Sequence, residues 1–124
     1  MFLTLSQVAL GGALGATMRY LTNVGVMRTL GPGFPFSTMI VNVAGSFLMG
    51  FLVVLMAKKG GNAFAPFVLT GLLGGFTTFS AFSLDALTLW ERGEAPLAFA
   101  YVAGSVFLSL AAIAAGLFVA RTLI

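Results

Sequence analysis

The chain contains no cysteine and no histidine, and only three of its 124 residues are acidic. These absences exclude disulfides, thiolate chemistry and histidine-based metal or acid–base sites. Neither a nucleophile–base pair nor a pair of catalytic carboxylates can be assembled from the remaining residues, so the sequence argues against an enzyme. The six basic residues are scattered along the chain, which argues against nucleic-acid binding.

Charge of either sign is scarce, at 7% of residues, whereas 60% are hydrophobic. Soluble domains carry about 25% charged residues. The composition therefore predicts an all-α integral membrane protein in which residues 1–124 form a single membrane domain. Because a bilayer crossing needs about 20 apolar residues, we predict four spans. These spans lie at about residues 2–27, 35–57, 64–90 and 96–119.

The third predicted span is interrupted in its middle. The stretch from Gly74 to Phe82 contains two adjacent glycines, two threonines and a serine. Lipid cannot satisfy free backbone groups, so a helix broken here must face protein or a water-filled pathway. The end of a half-helix exposes carbonyls that suit Na⁺, and the start of the next exposes N–H groups that suit an anion. Unless it is a simple kink, the break predicts a site that handles an ion or small substrate.

Two polar stripes accompany the break, one on the second span and one on the fourth. Their members are spaced four residues apart, so each stripe follows one helix face. They are Thr38, Asn42 and Ser46, and Tyr101, Ser105 and Ser109. Such residues also occur at packed helix interfaces, but two parallel stripes are typical of a track along which an ion exchanges water for side-chain donors.

Two further features of the sequence have both a structural and a functional interpretation, and a third is structural. Phe79 and Phe82 share a helix face, where they either pack or present positively polarised ring edges to an anion. Arg19 either snorkels to the membrane interface or draws anions into a vestibule. Gly11 and Gly15 match the spacing that permits close helix packing.

The acidic residues bear on the mode of transport. Asp85, Glu91 and Glu94 lie near or beyond the end of the third span. Proton-coupled transporters usually need a buried ionisable group. We therefore expect no such group here, and passive conduction.

The basic residues are balanced across the membrane. Four spans place Lys58, Lys59 and Arg121 on one side, and Arg19, Arg28 and Arg92 on the other. Orientation normally follows a bias in these residues, and here none exists. Either one dominant helix sets the orientation, or copies insert both ways and pair antiparallel.

The sequence resembles a known family, the Fluc fluoride channels, also called CrcB proteins. Three segments carry the resemblance: the small-residue run at 11–20, the segment at 38–47 and the Gly/Thr/Phe segment at 71–83. The resemblance implies an antiparallel, dual-topology homodimer of four-helix subunits in the lipid bilayer of a bacterial inner membrane. It implies passive fluoride export through two pathways and a structural Na⁺ at the dimer centre.

The resemblance also implies roles for individual residues. Asn42 would bind fluoride through its amide, and Phe79 and Phe82 would offer ring edges to the ion. Arg19 would lie near the aqueous vestibule. The other implied pathway residues are Thr38, Thr78, Ser80, Tyr101, Ser105 and Ser109, and the implied Na⁺ ligands are the backbone carbonyls of Gly74 and Thr77. Ala81 departs from the pattern, because many relatives have a hydroxyl residue there.

Two other functions fit a small membrane protein less well. A small multidrug transporter shares the four-helix, dual-topology design but depends on a carboxylate in its first helix, where this chain has only Arg19 as a charge. A structural membrane subunit would explain the glycines but leaves Asn42, the break and the hydroxyl stripes without a task.

Overall fold

The computed structural model describes residues 1–124, and the whole chain is helical with short connections. The long helices are α1 (Phe2–Thr29), α2 (Phe36–Lys59) and α5 (Ala95–Leu123). Between α2 and α5 lie a 3₁₀ turn (Asn62–Phe64), a π-helix (Pro66–Leu73), the short α3 (Gly74–Phe76) and α4 (Ser80–Glu91). These elements cover the four predicted spans.

Glycines bring the helices together in two pairs. A Cβ added at Gly71 would lie 2.9 Å from the Cα of Gly11, and one at Gly75 would lie 2.7 Å from the Gly12 carbonyl oxygen. Because later residues of α1 meet later residues of the π-helix and α3, the two segments run in the same direction. The small-residue run of α1 therefore packs as predicted, backbone against backbone.

The second pair is α2 and α5. Gly104 lies beside Met39, and a Cβ at Gly50 would lie 3.0 Å from the backbone nitrogen of Leu117. These helices therefore also run in the same direction. Two same-direction pairs are what a chain crossing back and forth four times produces.

The predicted break is present and falls at residues 77–79, between α3 and α4. Thr77 adopts an extended conformation, with φ −91° and ψ 159°. The eight-residue π-helix before the break was not predicted. Its backbone follows an i→i+5 hydrogen-bond pattern, which is rare in proteins and frequently found at functional sites.

The lengths and the apolar composition of the helices agree with a bilayer environment. Three segments are long and apolar enough to cross a membrane: Phe36–Lys59, Asn62–Glu91 and Ala95–Leu123. At 28 residues, α1 is about 42 Å long, which exceeds the hydrocarbon thickness of about 30 Å. The chain is a multi-pass membrane protein. Its small internal core lies beside α4 and α5 and is built from Leu89, Ala98 and Tyr101.

Candidate functional site

Asn42 and the broken backbone form the centre of the site. The Nδ2 of Asn42 donates to the Thr78 carbonyl oxygen at 2.9 Å, and its Oδ1 accepts from the Thr78 N–H at 2.8 Å. The amide thus binds both the N–H and the carbonyl oxygen of Thr78, at the break where these groups have no hydrogen-bond partner within a helix. A free backbone pair here would be costly, because lipid offers no replacement hydrogen bonds.

Most of the predicted pathway residues line one open cavity of about 460 Å³. It lies between the break, α2 and α5. Of the predicted residues it brings together Asn42, Gly74, Thr77, Thr78, Phe79, Phe82, Ser105 and Ser109. The Oγ of Ser105 is buried in the structure and makes no hydrogen bond. A hydroxyl in this state has a donor available for an ion that enters the cavity.

The two phenylalanines border this cavity differently. Phe79 is 77% exposed, and its ring centroid lies 5.5 Å from that of Phe82. Phe82 also packs against Tyr101, with centroids 5.3 Å apart. Phe79 is therefore free to face an ion or a second protein surface, whereas Phe82 is anchored to the internal core.

Thr38 and Tyr101 do not line this cavity. Both hydroxyls donate to the same oxygen of Asp85, Oδ2, at 2.7 Å from Thr38 and 3.1 Å from Tyr101. Tyr101 is fully buried. Three helices, α2, α4 and α5, are therefore joined through one carboxylate.

Asp85 corrects an expectation drawn from the sequence. We expected no buried ionisable group, because Asp85 lies close to the end of the third span. Instead the side chain is half-buried among the helices and has no cationic partner within salt-bridge distance. One signal in the sequence pointed to this: Asp85 follows Phe82 by three residues, so both lie on one face of α4.

A second cavity of about 250 Å³ lies on the other side of the break. Arg19, Thr38 and Asp85 line it, together with Thr78, which also lines the first cavity. Thr78 therefore borders both cavities. The Nε of Arg19 donates to the Gly75 carbonyl oxygen at 3.0 Å, so this charge is fixed at the break.

Ser80 begins α4 and is exposed. Its Oγ lies 3.3 Å from Oγ1 of Thr78, and that threonine oxygen also accepts from the Ala81 N–H at 3.1 Å. Thr78 therefore caps the start of α4. Ser80 is near the predicted polar track but lines neither of the two cavities described above.

The carbonyls at the break suit a hard cation. The carbonyl oxygens of Gly74 and Thr77 accept no hydrogen bond, and both residues line the larger cavity. Oxygen ligands are what Na⁺ prefers, and unwound carbonyls in membrane proteins commonly provide them. The chain contains no group of three or more acidic side chains that could hold a metal ion.

Comparison with known sequences assigns the chain to a family. Residues 6–117 match the model of the family described as "CrcB-like protein, Camphor Resistance (CrcB)". The chain belongs to the CrcB family. The matched part of this CrcB chain includes every candidate site residue, from Arg19 to Ser109.

Several CrcB relatives are similar over nearly their whole length, and each is named "Fluoride-specific ion channel FluC". The relative from Cereibacter sphaeroides is 69% identical over 121 residues, covering 98% of this chain and 97% of the relative. The relative from Paracoccus denitrificans is 61% identical, covering 97% and 96%. The relative from Agrobacterium fabrum is 48% identical, covering 98% of each. The predicted family resemblance is confirmed.

Proposed function

We propose that this chain is a fluoride-selective ion channel that lets F⁻ leave the cell passively. The observation that carries the proposal is the cavity at the break, where Asn42, Phe79, Phe82, Ser105 and Ser109 meet. It combines amide and hydroxyl donors with aromatic rings and contains no carboxylate. The names of the CrcB relatives support fluoride as the ion.

The local electrostatics favour an anion at this place. The start of α4 lies at the break, and a helix start carries a partial positive charge. Ring edges of Phe79 and Phe82 would add weak attraction, and the free hydroxyl of Ser105 would replace part of the ion's water. Arg19 would raise the local anion concentration from the other side of Thr78.

The proposed pathway continues towards Asp85. Thr78 borders both cavities, and Thr38 and Asp85 line the second. Tyr101 adjoins Phe82 and completes this end of the track. An anion reaching this end would compete with the Asp85 carboxylate for the hydroxyl protons of Thr38 and Tyr101.

The proposed channel is an antiparallel homodimer in the bacterial inner membrane. A single chain leaves Phe79, Gly74 and the larger cavity exposed. Polar groups facing lipid are unfavourable, so a second copy covering this face would remove the cost. The balanced basic residues permit the two orientations that such a dimer needs.

We further propose a Na⁺ at the dimer centre, held by the carbonyls of Gly74 and Thr77 from both subunits. When bound, the ion would supply a fixed positive charge and oxygen coordination across the interface. The chain's contribution is to keep these carbonyls free of hydrogen bonds.

The test is fluoride efflux from liposomes that contain the purified protein, followed with an ion-selective electrode. Valinomycin carries balancing K⁺, and chloride is followed in parallel. We expect fast fluoride release without chloride release. Folded protein that releases neither ion would contradict the proposal, and transport of cationic drugs would then be measured.

A further inference from the structure

Asn42 has a task at the break that differs from contacting the permeant ion. We propose that Asn42 is a positioning residue for the cation site, because it diverts the Thr78 N–H away from the Gly74 carbonyl. This inference rests on the proposed function, since it concerns the cation of the proposed dimer. It predicts that the affinity for Na⁺ depends on a side chain that does not coordinate Na⁺.

The hydrogen bonds at the end of α3 show how the carbonyls are divided. The Leu73 carbonyl oxygen accepts from both the N–H and the Oγ1 of Thr77, each at 3.0 Å. The Gly75 carbonyl oxygen accepts from Arg19. Between these two occupied carbonyls, that of Gly74 accepts nothing.

In an uninterrupted α-helix, the Gly74 carbonyl would accept from the N–H four residues later, which belongs to Thr78. Here that N–H is bound to Oδ1 of Asn42 at 2.8 Å instead. The bond from Nδ2 of Asn42 to the Thr78 carbonyl fixes which end of the amide faces which group. Asn42 is therefore the competitor that leaves the Gly74 oxygen free.

Two substitutions separate this positioning role from a direct contact with fluoride. Asn42→Leu removes both hydrogen bonds, so the Thr78 N–H is expected to turn to the Gly74 carbonyl and withdraw it from the cation site. Asn42→Asp keeps an oxygen that accepts from the Thr78 N–H, but its negative charge opposes an anion in the cavity. The first variant should weaken Na⁺ binding, and the second should preserve or tighten it while reducing fluoride flux.

Ser46 provides a matched control. It lies one turn after Asn42 on α2 and lines the same cavity, but its side chain makes no hydrogen bond to the break. Ser46→Ala should therefore leave Na⁺ affinity unchanged, whatever it does to fluoride flux.

The experiment measures thermal stability of the purified full-length protein in detergent while NaCl replaces N-methyl-D-glucamine chloride at constant ionic strength. A ligand that binds the folded protein raises its stability with the logarithm of 1 + [ligand]/Kd, so the NaCl concentration at which the melting temperature begins to rise reports Na⁺ affinity without any flux measurement. Because Asn42→Leu withdraws the Gly74 carbonyl of each subunit, it should raise the NaCl concentration at which stabilisation begins at least about tenfold. If Asn42→Leu does not fold, Asn42→Ala replaces it with the same expectation.

The outcomes distinguish this inference from the proposal on which it rests. If the unmodified protein shows no stabilisation by Na⁺, the cation part of the proposed function fails and this inference fails with it. If the unmodified protein responds but Asn42→Leu responds at the same NaCl concentration, only the positioning role is wrong. An Asn42→Asp variant as weak for Na⁺ as Asn42→Leu also overturns it.

Discussion

The guanidinium of Arg19 reaches from α1 to the break and donates from Nε to the Gly75 carbonyl oxygen, 3.0 Å away. A cation at the C-terminal end of a half-helix offsets the partial negative charge of the unpaired carbonyls. The same side chain lines the cavity that contains Thr38 and Asp85. Arg19 therefore both stabilises the break through a hydrogen bond and places a positive charge beside the cavity, and substitutions can separate these two effects.

Arg19→Lys keeps the charge but replaces the planar guanidinium by an ammonium. We expect it to retain much of the fluoride flux while losing stability, whereas Arg19→Gln loses both. In each variant the free energy of unfolding should fall by about 1.5–3 kcal/mol, which is typical of a lost hydrogen bond to a charged group. Thermal denaturation and liposome efflux measure the two effects. Arg28→Gln, in the exposed last turn of α1, is the control and should change neither by a comparable amount.

The glycines of α1 give a second prediction. A Cβ at Gly15 would overlap the backbone of Leu72, whereas a Cβ at Gly25 in the same helix would have nothing within 4 Å. Gly15→Ala should therefore push α1 away from the broken span and cost at least about 1–3 kcal/mol, as overpacking does. Gly25→Ala should be neutral or stabilise by up to about 1 kcal/mol, because alanine favours a helix. Equal melting temperatures for the two variants would show that this contact does not limit stability.

The location of the break could be predicted from the sequence, because Gly74, Gly75 and the adjacent threonines are poor choices for the middle of a membrane helix. The bond between Asn42 and Thr78 could not, since it joins residues 36 positions apart and depends on how α2 is rotated against the break. A free amide was the natural expectation, whereas the structure shows both ends engaged.

The position of Asp85 was misjudged for a related reason. Asp85 lies only a few residues before the end of the predicted span, which suggested a carboxylate at the membrane interface. In the structure α4 starts at Ser80, and Asp85 in its second turn accepts hydrogen bonds from Thr38 and Tyr101. The π-helix was also beyond prediction, because it differs from an α-helix in its hydrogen-bond register and Pro66 at its start suits either.

Substitution of Asp85 should show how much the helices depend on its two hydrogen bonds. Asp85→Leu leaves the hydroxyl of the fully buried Tyr101 without its acceptor, and unsatisfied buried groups cost about 1–3 kcal/mol each. Asp85→Asn retains an acceptor oxygen and should lose less. Thermal denaturation of both variants in detergent measures the difference. A Leu variant as stable as the Asn variant would mean that water or a rearranged side chain satisfies Tyr101.

The two phenylalanines should respond differently to removal of the ring. Phe79→Ile and Phe82→Ile both keep apolar bulk but lose the polarised ring edge. Because Phe79 is 77% exposed, its substitution should reduce fluoride flux with little loss of stability. Phe82→Ile should reduce both, since that ring packs on Tyr101.

Phe118 provides the control for these variants. It is 70% exposed on α5 and belongs to no aromatic pair, so Phe118→Ile should leave flux and stability close to those of the unmodified protein. Flux that survives in both Phe79→Ile and Phe82→Ile would eliminate the ring-edge explanation.

The absence of cysteine makes the proposed dual topology directly measurable. Asn62→Cys places a single thiol in the exposed connection after α2, and the chain has no other thiol to react. In cells, a membrane-impermeant maleimide should label about half of the copies, because balanced basic residues allow either orientation. A reagent that crosses the membrane should then label the rest.

Replacing Lys58 and Lys59 by glutamine leaves Arg121 alone against three arginines, so the labelled fraction should rise as the connection moves to the outer side. A labelled fraction near zero or one in the unmodified background would show a single orientation, and would exclude an antiparallel dimer.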